Sequence, residues 1–194
     1  MERIMVVGVT GAGKSTLARA VGARLNVPYH EMDALYFTGP DWAVNDKLTE
    51  TVSPLAAEPR WIIDSIGYPE VRDLLWERAD TVLWLDYAKR VVLPRVLRRS
   101  LRRSLTREPV FGGNTETWAG WLSREHPVWW AWSQHAGRHR EIAHRTSDPR
   151  FAPLHEGRPF RRAGGQAPGG QRTELFGQRG QVRFRVHDPV EDGG

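Results

Sequence analysis

Gly8 and Gly13 stand five residues apart, and Lys14 and Ser15 follow at once, in the stretch "GVTGAGKST". This is the spacing G-x-x-x-x-G-K-[ST]. Glycines at such positions let successive backbone N–H groups turn inward, and the helix that follows adds its own free N–H groups, so the loop can cradle phosphate. Gly8, Thr10, Gly11, Ala12, Gly13, Lys14, Ser15 and Thr16 are the candidate nucleotide-binding residues. The pattern assigns Lys14 to the β- and γ-phosphates and Ser15 to Mg²⁺. ATP and Mg²⁺ are the cofactors it implies.

Three acids stand at the ends of strand-like stretches: Asp33 after "VPYHEM", Asp64 in "RWIID" and Asp86 in "TVLWLD". Asp86 is a candidate of Walker-B type, organising Mg²⁺ through water, or else a cap on its own turn. Asp33 could serve as general base or Mg²⁺ contact beside the γ-phosphate, or bond its own loop. Asp64 is a candidate acceptor-site contact. Arg95, Arg98, Arg99, Arg102 and Arg103 fall at i, i+3, i+4, i+7 and i+8, with Leu93, Leu97 and Leu101 opposite. Such a helix would pack its leucines on the core and present five guanidinium groups, which suits neutralising charge on a transferring phosphoryl group.

Short apolar strands have to position these groups. Residues 3–9, 27–32, 60–64 and 81–86 read as strands, the last two too continuously apolar to have a wet face. They alternate with helices over about 14–25, 46–57, 69–78 and 91–105. Pro54 should break or kink the second of these, and Pro94 should lie in the first turn of the last. Residues 107–118 read as a loop, and a His- and Arg-rich helix runs to about Arg145. The alternation predicts βαβ units and an α/β fold with a parallel sheet covered on both faces, its ligands beyond the carboxyl ends of the strands.

With 194 residues, 40% hydrophobic, the chain suits one domain plus a tail. It has no cysteine, which excludes a disulfide framework and Cys-based zinc. No apolar run is long enough to span a bilayer. A soluble, cytoplasmic, monomeric protein is expected. The net charge of +5, nearly all from Arg, permits nucleic-acid binding without favouring it. Five of the nine tryptophans fall within residues 118–132. Trp76 and Trp84 are expected in the core, and Trp129, Trp130 and Trp132 in lid or core packing. His135 and His139 are i, i+4 but lack an acidic third partner for zinc. Residues 149–194 hold nine of the 19 glycines and are expected to be poorly ordered. "QVRFRV" alternates well enough to serve as a strand.

In combination, "VVGVTGAGKSTLARAVGARLNVPYHEMDALYF", Trp42, "RWIID" and "ADTVLWLDYAKRVVLPRVLRRSLRR" resemble the small P-loop kinases related to adenylate kinase. Within these, the chain is most similar to the topology modulation (FlaR-like) group. The resemblance covers about residues 3–145. It implies a three-layer α/β/α fold with five parallel strands and a mobile helical lid, here about 106–132 of a domain spanning 1–148. It implies transfer of the γ-phosphoryl group of Mg-ATP to a small acceptor: a nucleotide, nucleoside or hydroxylated metabolite. By the same resemblance Arg95 and Arg99, four apart after Asp86, hold the ATP end. Arg124 closes on phosphate from the lid, and Asp33 lies near the acceptor hydroxyl. Lys14, Asp33, Arg95 and Arg99 are thus the expected catalytic residues, and Ser15 and Asp86 the expected metal residues. The lid and monophosphate site of adenylate kinases are not recognisable, so AMP specificity does not carry over. The group's name also allows a nucleotide-binding regulator that acts on DNA through its Arg face.

Overall fold

The computed structural model describes residues 2–116, 118, 121, 123, 126–148, 155–157 and 181–186. Four parallel strands form the heart of the sheet: β1 (Arg3–Gly8), β2 (Tyr29–His30), β3 (Trp61–Ile63) and β4 (Thr81–Asp86). Helices α1 (Lys14–Leu25), α2 (Met32–Tyr36), α3 (Leu48–Ala57), α4 (Arg72–Arg78), α5 (Lys89–Thr106) and α6 (Pro127–Thr146) flank it. Two further strands, β5 (His155–Gly157) and β6 (Gln181–Val186), complete the order β2-β3-β1-β4-β6-β5. The α/β/α fold expected from the sequence is present. The expected fifth parallel strand is replaced by β6, which is "QVRFRV". It runs antiparallel along β4, from Thr81↔Val186 to Asp86↔Gln181. Most of the Gly-rich segment, and the expectation about its order, lies outside the described residues.

Strand parity builds the two outer layers. Successive strand residues point to opposite faces. Met5, Val7, Ile63, Val82 and Trp84 pack with Val52, Leu75, Trp76 and Ile142 of α3, α4 and α6. Ile4, Val6, Ile62, Leu83 and Leu85 pack with Ala18 of α1 and with Val91 and Val92 of α5. Trp61, Trp76 and Trp84 are all buried. β1 lies between β3 and β4, while its own crossover leads to β2 at the edge. The strand order therefore reverses at β1, and the cleft opens at its carboxyl end. Among the described residues, no helix is long and apolar enough to cross a membrane.

Several local expectations change. β2 is only two residues long, and α2 occupies the stretch expected to be loop. α3 continues through Pro54, which lies on an exposed flank of the helix. α4 begins at Arg72 rather than Pro69. α5 begins at Lys89, so Pro94 lies past its first turn.

The most consequential correction is the rotation of α5. The face turned to the core carries Val92, Val96, Ser100 and Ser104, while Leu97, Leu101 and Leu105 are 40%, 36% and 71% exposed. The cause is the phosphate loop. Gly11 has φ +82°, and a β-carbon there would come within 2.4 Å of Val96 and 3.1 Å of the Val92 carbonyl. α5 can approach that closely only over its own narrow side chains. This rotation half-buries Arg99 and Arg103 and leaves Arg98 and Arg102 exposed.

Candidate active site

The loop after β1 is shaped by glycines. Gly8, Gly11 and Gly13 have φ of +152°, +82° and +95°. At Gly8 a β-carbon would stand 2.8 Å from the Leu85 carbonyl, so β4 forces glycine there as well. Ala12 N–H donates to the Val9 carbonyl at 3.1 Å and closes the turn that Thr10 and Gly11 bridge. Gly13 caps α1 with no side-chain bond, and the first turn carries no acid. The leading N–H groups of α1 are thus left for an external anion. Lys14 reaches back over the loop, its Nζ donating to the Val9 carbonyl at 3.4 Å.

Of the strand-end acids, Asp64 is the one that meets the loop. Its Oδ2 accepts from the Ser15 hydroxyl at 2.5 Å, and its Oδ1 accepts from the Met32 N–H at 3.2 Å. Asp86 instead pairs with His139 Nε2 of α6 at 3.1 Å. Parity explains the difference. Asp64 shares the parity of Ile62, which faces α1, whereas Asp86 shares that of Trp84, which faces α6. Asp64 thus stands against the Ser15 hydroxyl, and Asp86, expected to organise Mg²⁺, stands on the α6 side of the sheet. Asp64, expected against an acceptor, is 6% exposed with both oxygens engaged. Its second bond also anchors the start of α2, which no local signal in the sequence announces.

Asp33, in the first turn of α2, is exposed, and its Oδ1 accepts from the Tyr68 hydroxyl at 2.9 Å. The Tyr68 ring stacks on Tyr36, with centroids 3.6 Å apart. Three cations share the field of Asp33: Lys14, Arg99 and Arg138. Arg138, on α6, was not singled out in the sequence. Its guanidinium makes no hydrogen bond or ion pair among the described residues. Burial lowers its pKa first, then Arg72, while Glu141, Tyr68 and Asp33 offset part of the drop. Burial likewise holds the Lys14 ammonium below the ordinary lysine range, against the pull of Asp33 and Asp64, with Arg99 and Arg138 adding to the depression. Burial raises the Asp64 carboxyl, against the Ser15 bond, Lys14 and the Met32 N–H. Burial also raises Glu31, followed by the charge of Asp64. Glu31 is paired with Arg19 at 3.3 Å.

The expected arginines separate. Arg99 joins the cleft, its Nε buried without a partner among the described residues. Arg95 is placed over the Tyr87 ring, 4.7 Å from its centroid. Arg103 binds Glu116 at 3.0 Å in a pair whose carboxylate is 3% exposed. Beyond α5 the chain lies down on the loop after α2. Asn114 accepts from the Trp42 N–H at 2.9 Å and donates to the Gly39 carbonyl at 2.9 Å. Phe111 stacks near Phe37, with centroids 6.4 Å apart. Trp129, Trp130 and Trp132 are exposed rather than packed, although Trp132 carries the Lys89 ammonium 3.7 Å above its ring. Arg124 lies outside the described residues.

Hard oxygen donors suit Mg²⁺. The Ser15 hydroxyl, the Asp64 carboxylate and the nearby Glu31 and Asp33 supply them. No group of three His, Asp or Glu among the described residues could hold a metal by itself. That fits an ion carried largely by phosphate oxygens and water. The uncapped start of α1, with Lys14 over it, fits a polyphosphate.

No family model matches the sequence. A shikimate kinase from Bacteroides thetaiotaomicron is 33% identical over 81 residues, 41% of this chain and 39% of that enzyme. The chain thus spans about two fifths of the length of the curated relative it matches. A shikimate kinase from Acinetobacter baumannii, solved in complex with shikimate, superposes with a TM-score of 0.48 at 18% identity, over 74% of this chain and 81% of that one. A gluconokinase from Sinorhizobium meliloti gives a TM-score of 0.39 at 20% identity, over 76% and 97%. These three proteins are kinases by name.

Proposed function

We propose that this chain is an ATP-dependent kinase that phosphorylates a small hydroxylated acceptor. The observation that carries the reading is the phosphate loop itself: a glycine-shaped turn after β1, an uncapped start of α1 with Lys14 reaching back over it, and Ser15 held by Asp64. The triphosphate lies on Gly8–Thr16, against the free N–H groups of α1. Bound Mg²⁺ would neutralise phosphate charge at the Ser15 end, with Asp64 rather than Asp86 supporting it. Asp33 accepts the hydrogen bond of the acceptor hydroxyl and takes its proton as the oxygen attacks the γ-phosphorus and ADP leaves. The Tyr68 hydroxyl fixes the orientation of that carboxylate. Lys14 and Arg99 stabilise charge on the transferring group, and Arg95 is kept for the outer end of the nucleotide. Phosphoryl transfer depends chiefly on positioning and charge stabilisation of this kind.

Arg138, whose guanidinium makes no hydrogen bond or ion pair among the described residues, serves an anionic group on the acceptor. A hydroxylated acid or a phosphorylated sugar meets both demands, and the similarity to a shikimate kinase supports such a molecule. The segment over 106–132 acts as the lid, excluding water through its contacts with the loop after α2. The finer kinship with the topology modulation group rests on the sequence motifs alone. The test is a phosphotransfer screen with labelled ATP across nucleotides, nucleosides and hydroxylated acids, shikimate included. Label should pass to one class with wild-type protein and to none with Lys14→Ala. Transfer that persists in Lys14→Ala, or label released only to water, refutes the reading.

A further inference from the structure

Asp41 and Trp42 both lie in the left-handed region, with φ of +54° and +59°. Residues with a β-carbon seldom adopt it, and a fold keeps them there only where the surroundings over-determine the backbone. Here the surroundings are two small hairpins set tip to tip. The first leaves α2 directly: Phe37 bridges Val44, Thr38 N–H donates to the Ala43 carbonyl at 3.2 Å, and Asn45 N–H donates to the Tyr36 carbonyl at 2.8 Å. The second is closed by the bridge of Pro109 to Thr115. Asn114 joins them. It is 6% exposed, its Oδ1 accepts from the Trp42 N–H at 2.9 Å, and its Nδ2 donates to the carbonyls of Gly39 at 2.9 Å and Phe111 at 2.7 Å. Only an amide gives and takes in this way; aspartate would lose the donor, and leucine both. Gly112, at φ +65°, lets the tips meet, since a β-carbon there would stand 2.6 Å from the Gly39 carbonyl oxygen.

The strained turn costs stability that the core does not need, because neither hairpin adds a residue to either core cluster. What the junction does reach is Asp33. Tyr68 donates to the Asp33 carboxylate at 2.9 Å and stacks on Tyr36. Tyr36 meets Phe37 edge-on, with centroids 4.9 Å apart. Phe37 in turn meets Trp42 of its own hairpin at 5.4 Å and Phe111 of the other at 6.4 Å. Rings thus run without a break from the carboxylate to both hairpins. We propose that Asn114 is a positioning residue for Asp33: by fixing one hairpin on the other it fixes Phe37 and the stacked tyrosines, and through them the carboxylate that receives the acceptor hydroxyl. This inference rests on the kinase reading of Asp33.

The test uses the full chain, the acceptor found by the phosphotransfer screen, and three variants. Asn114→Ala removes all three side-chain bonds. Gly112→Ala wedges the hairpins apart and leaves Asn114 in place. Gly113→Ala is the control: its φ is +78°, but nothing lies within 4 Å of an added β-carbon, so it strains the turn without separating the hairpins. Asn114→Ala and Gly112→Ala should each lower kcat for transfer at least about tenfold, as small misplacements of a reacting group do. Their affinity for ATP, measured by calorimetry, should equal that of wild type, and Gly113→Ala should keep the wild-type kcat. Undiminished kcat in either of the first two variants overturns the inference. An equal loss of ATP affinity also overturns it, because that is the mark of a merely structural side chain. A matching loss in Gly113→Ala does the same, since backbone strain alone would then explain the effect. Should Asn114→Ala fail to fold, Gly112→Ala and its control decide the matter. If wild-type protein passes label to no acceptor, the kinase reading falls and takes this one with it. The wild-type arm thus separates the two failures.

Discussion

Replacing each strand-end acid by its amide decides which one serves the phosphate loop. Asp64→Asn keeps the volume and one acceptor oxygen but loses the charge that receives the 2.5 Å bond from Ser15 and the 3.2 Å bond from Met32. Outer-shell partners of a metal site cost about 10–100-fold when replaced. At about 1.36 kcal/mol per decade, that is about 1.4–2.7 kcal/mol. Asp86→Asn removes the partner of His139, whose side chain is 42% exposed. The loss should be smaller than that for Asp64→Asn, because this pair lies on the α6 side of the sheet, away from Ser15. The assay is kcat/KM for Mg-ATP with the acceptor found by the screen. Stability moves the other way. The folded-state carboxyl of Asp64 is raised above its unfolded value, mainly by burial. Its charged form therefore costs stability above the folded pKa, and the cost fades as pH falls through that value toward the unfolded one, about 3.9. Asp64→Asn should thus melt at or above the wild-type temperature at pH 8, and the gain should vanish near pH 4. A larger catalytic loss for Asp86→Asn than for Asp64→Asn would refute the assignment.

Arg138→Ala should raise KM for the acceptor at least about tenfold and leave ATP affinity nearly unchanged, as measured by initial rates; a matching loss of ATP affinity would count against an acceptor role. Because burial lowers the Lys14 pKa, the alkaline limb of the pH–rate profile should begin below the ordinary lysine range, and that limb is read from kcat/KM in a wide-range buffer. Gly11→Ala should destabilise the fold by about 2–4 kcal/mol, from overpacking against Val96 together with the positive φ, as read by denaturant unfolding. Deleting residues 157–194 removes the strand paired along all of β4 and should lower Tm by about 5–10 °C.

Much of the site was legible because its signals are local. The phosphate loop needs glycine where φ is positive, and Lys14 and Ser15 follow in fixed register. The apolar runs needed no partner to be recognised as strands, whereas Asp33, expected at a strand end, stands in the first turn of α2. Arg138 and Tyr68 could not be found that way. Each stands on an element whose own periodicity shows nothing unusual, and each acquires meaning only when α6 and the β3–α4 turn close over Asp33. The parity of Asp64 and Asp86 was readable from Ile62 and Trp84, but the sequence does not say which face of the sheet carries α1.

The rotation of α5 shows the same limit most sharply. Period 3.6 groups the leucines on one side and the arginines on the other, but it fixes only their relative angle. Hydrophobic burial alone would turn Leu97 and Leu101 inward. What prevents it is a steric demand from Gly11, far earlier in the chain. Gly11 has to lie against a helix surface no thicker than Val96 and the Val92 carbonyl, and a leucine row does not meet that demand. The exposed leucines are therefore the cost of bringing Arg99 over the phosphate loop. A close approach required by the site outweighs the apolar area it leaves in water.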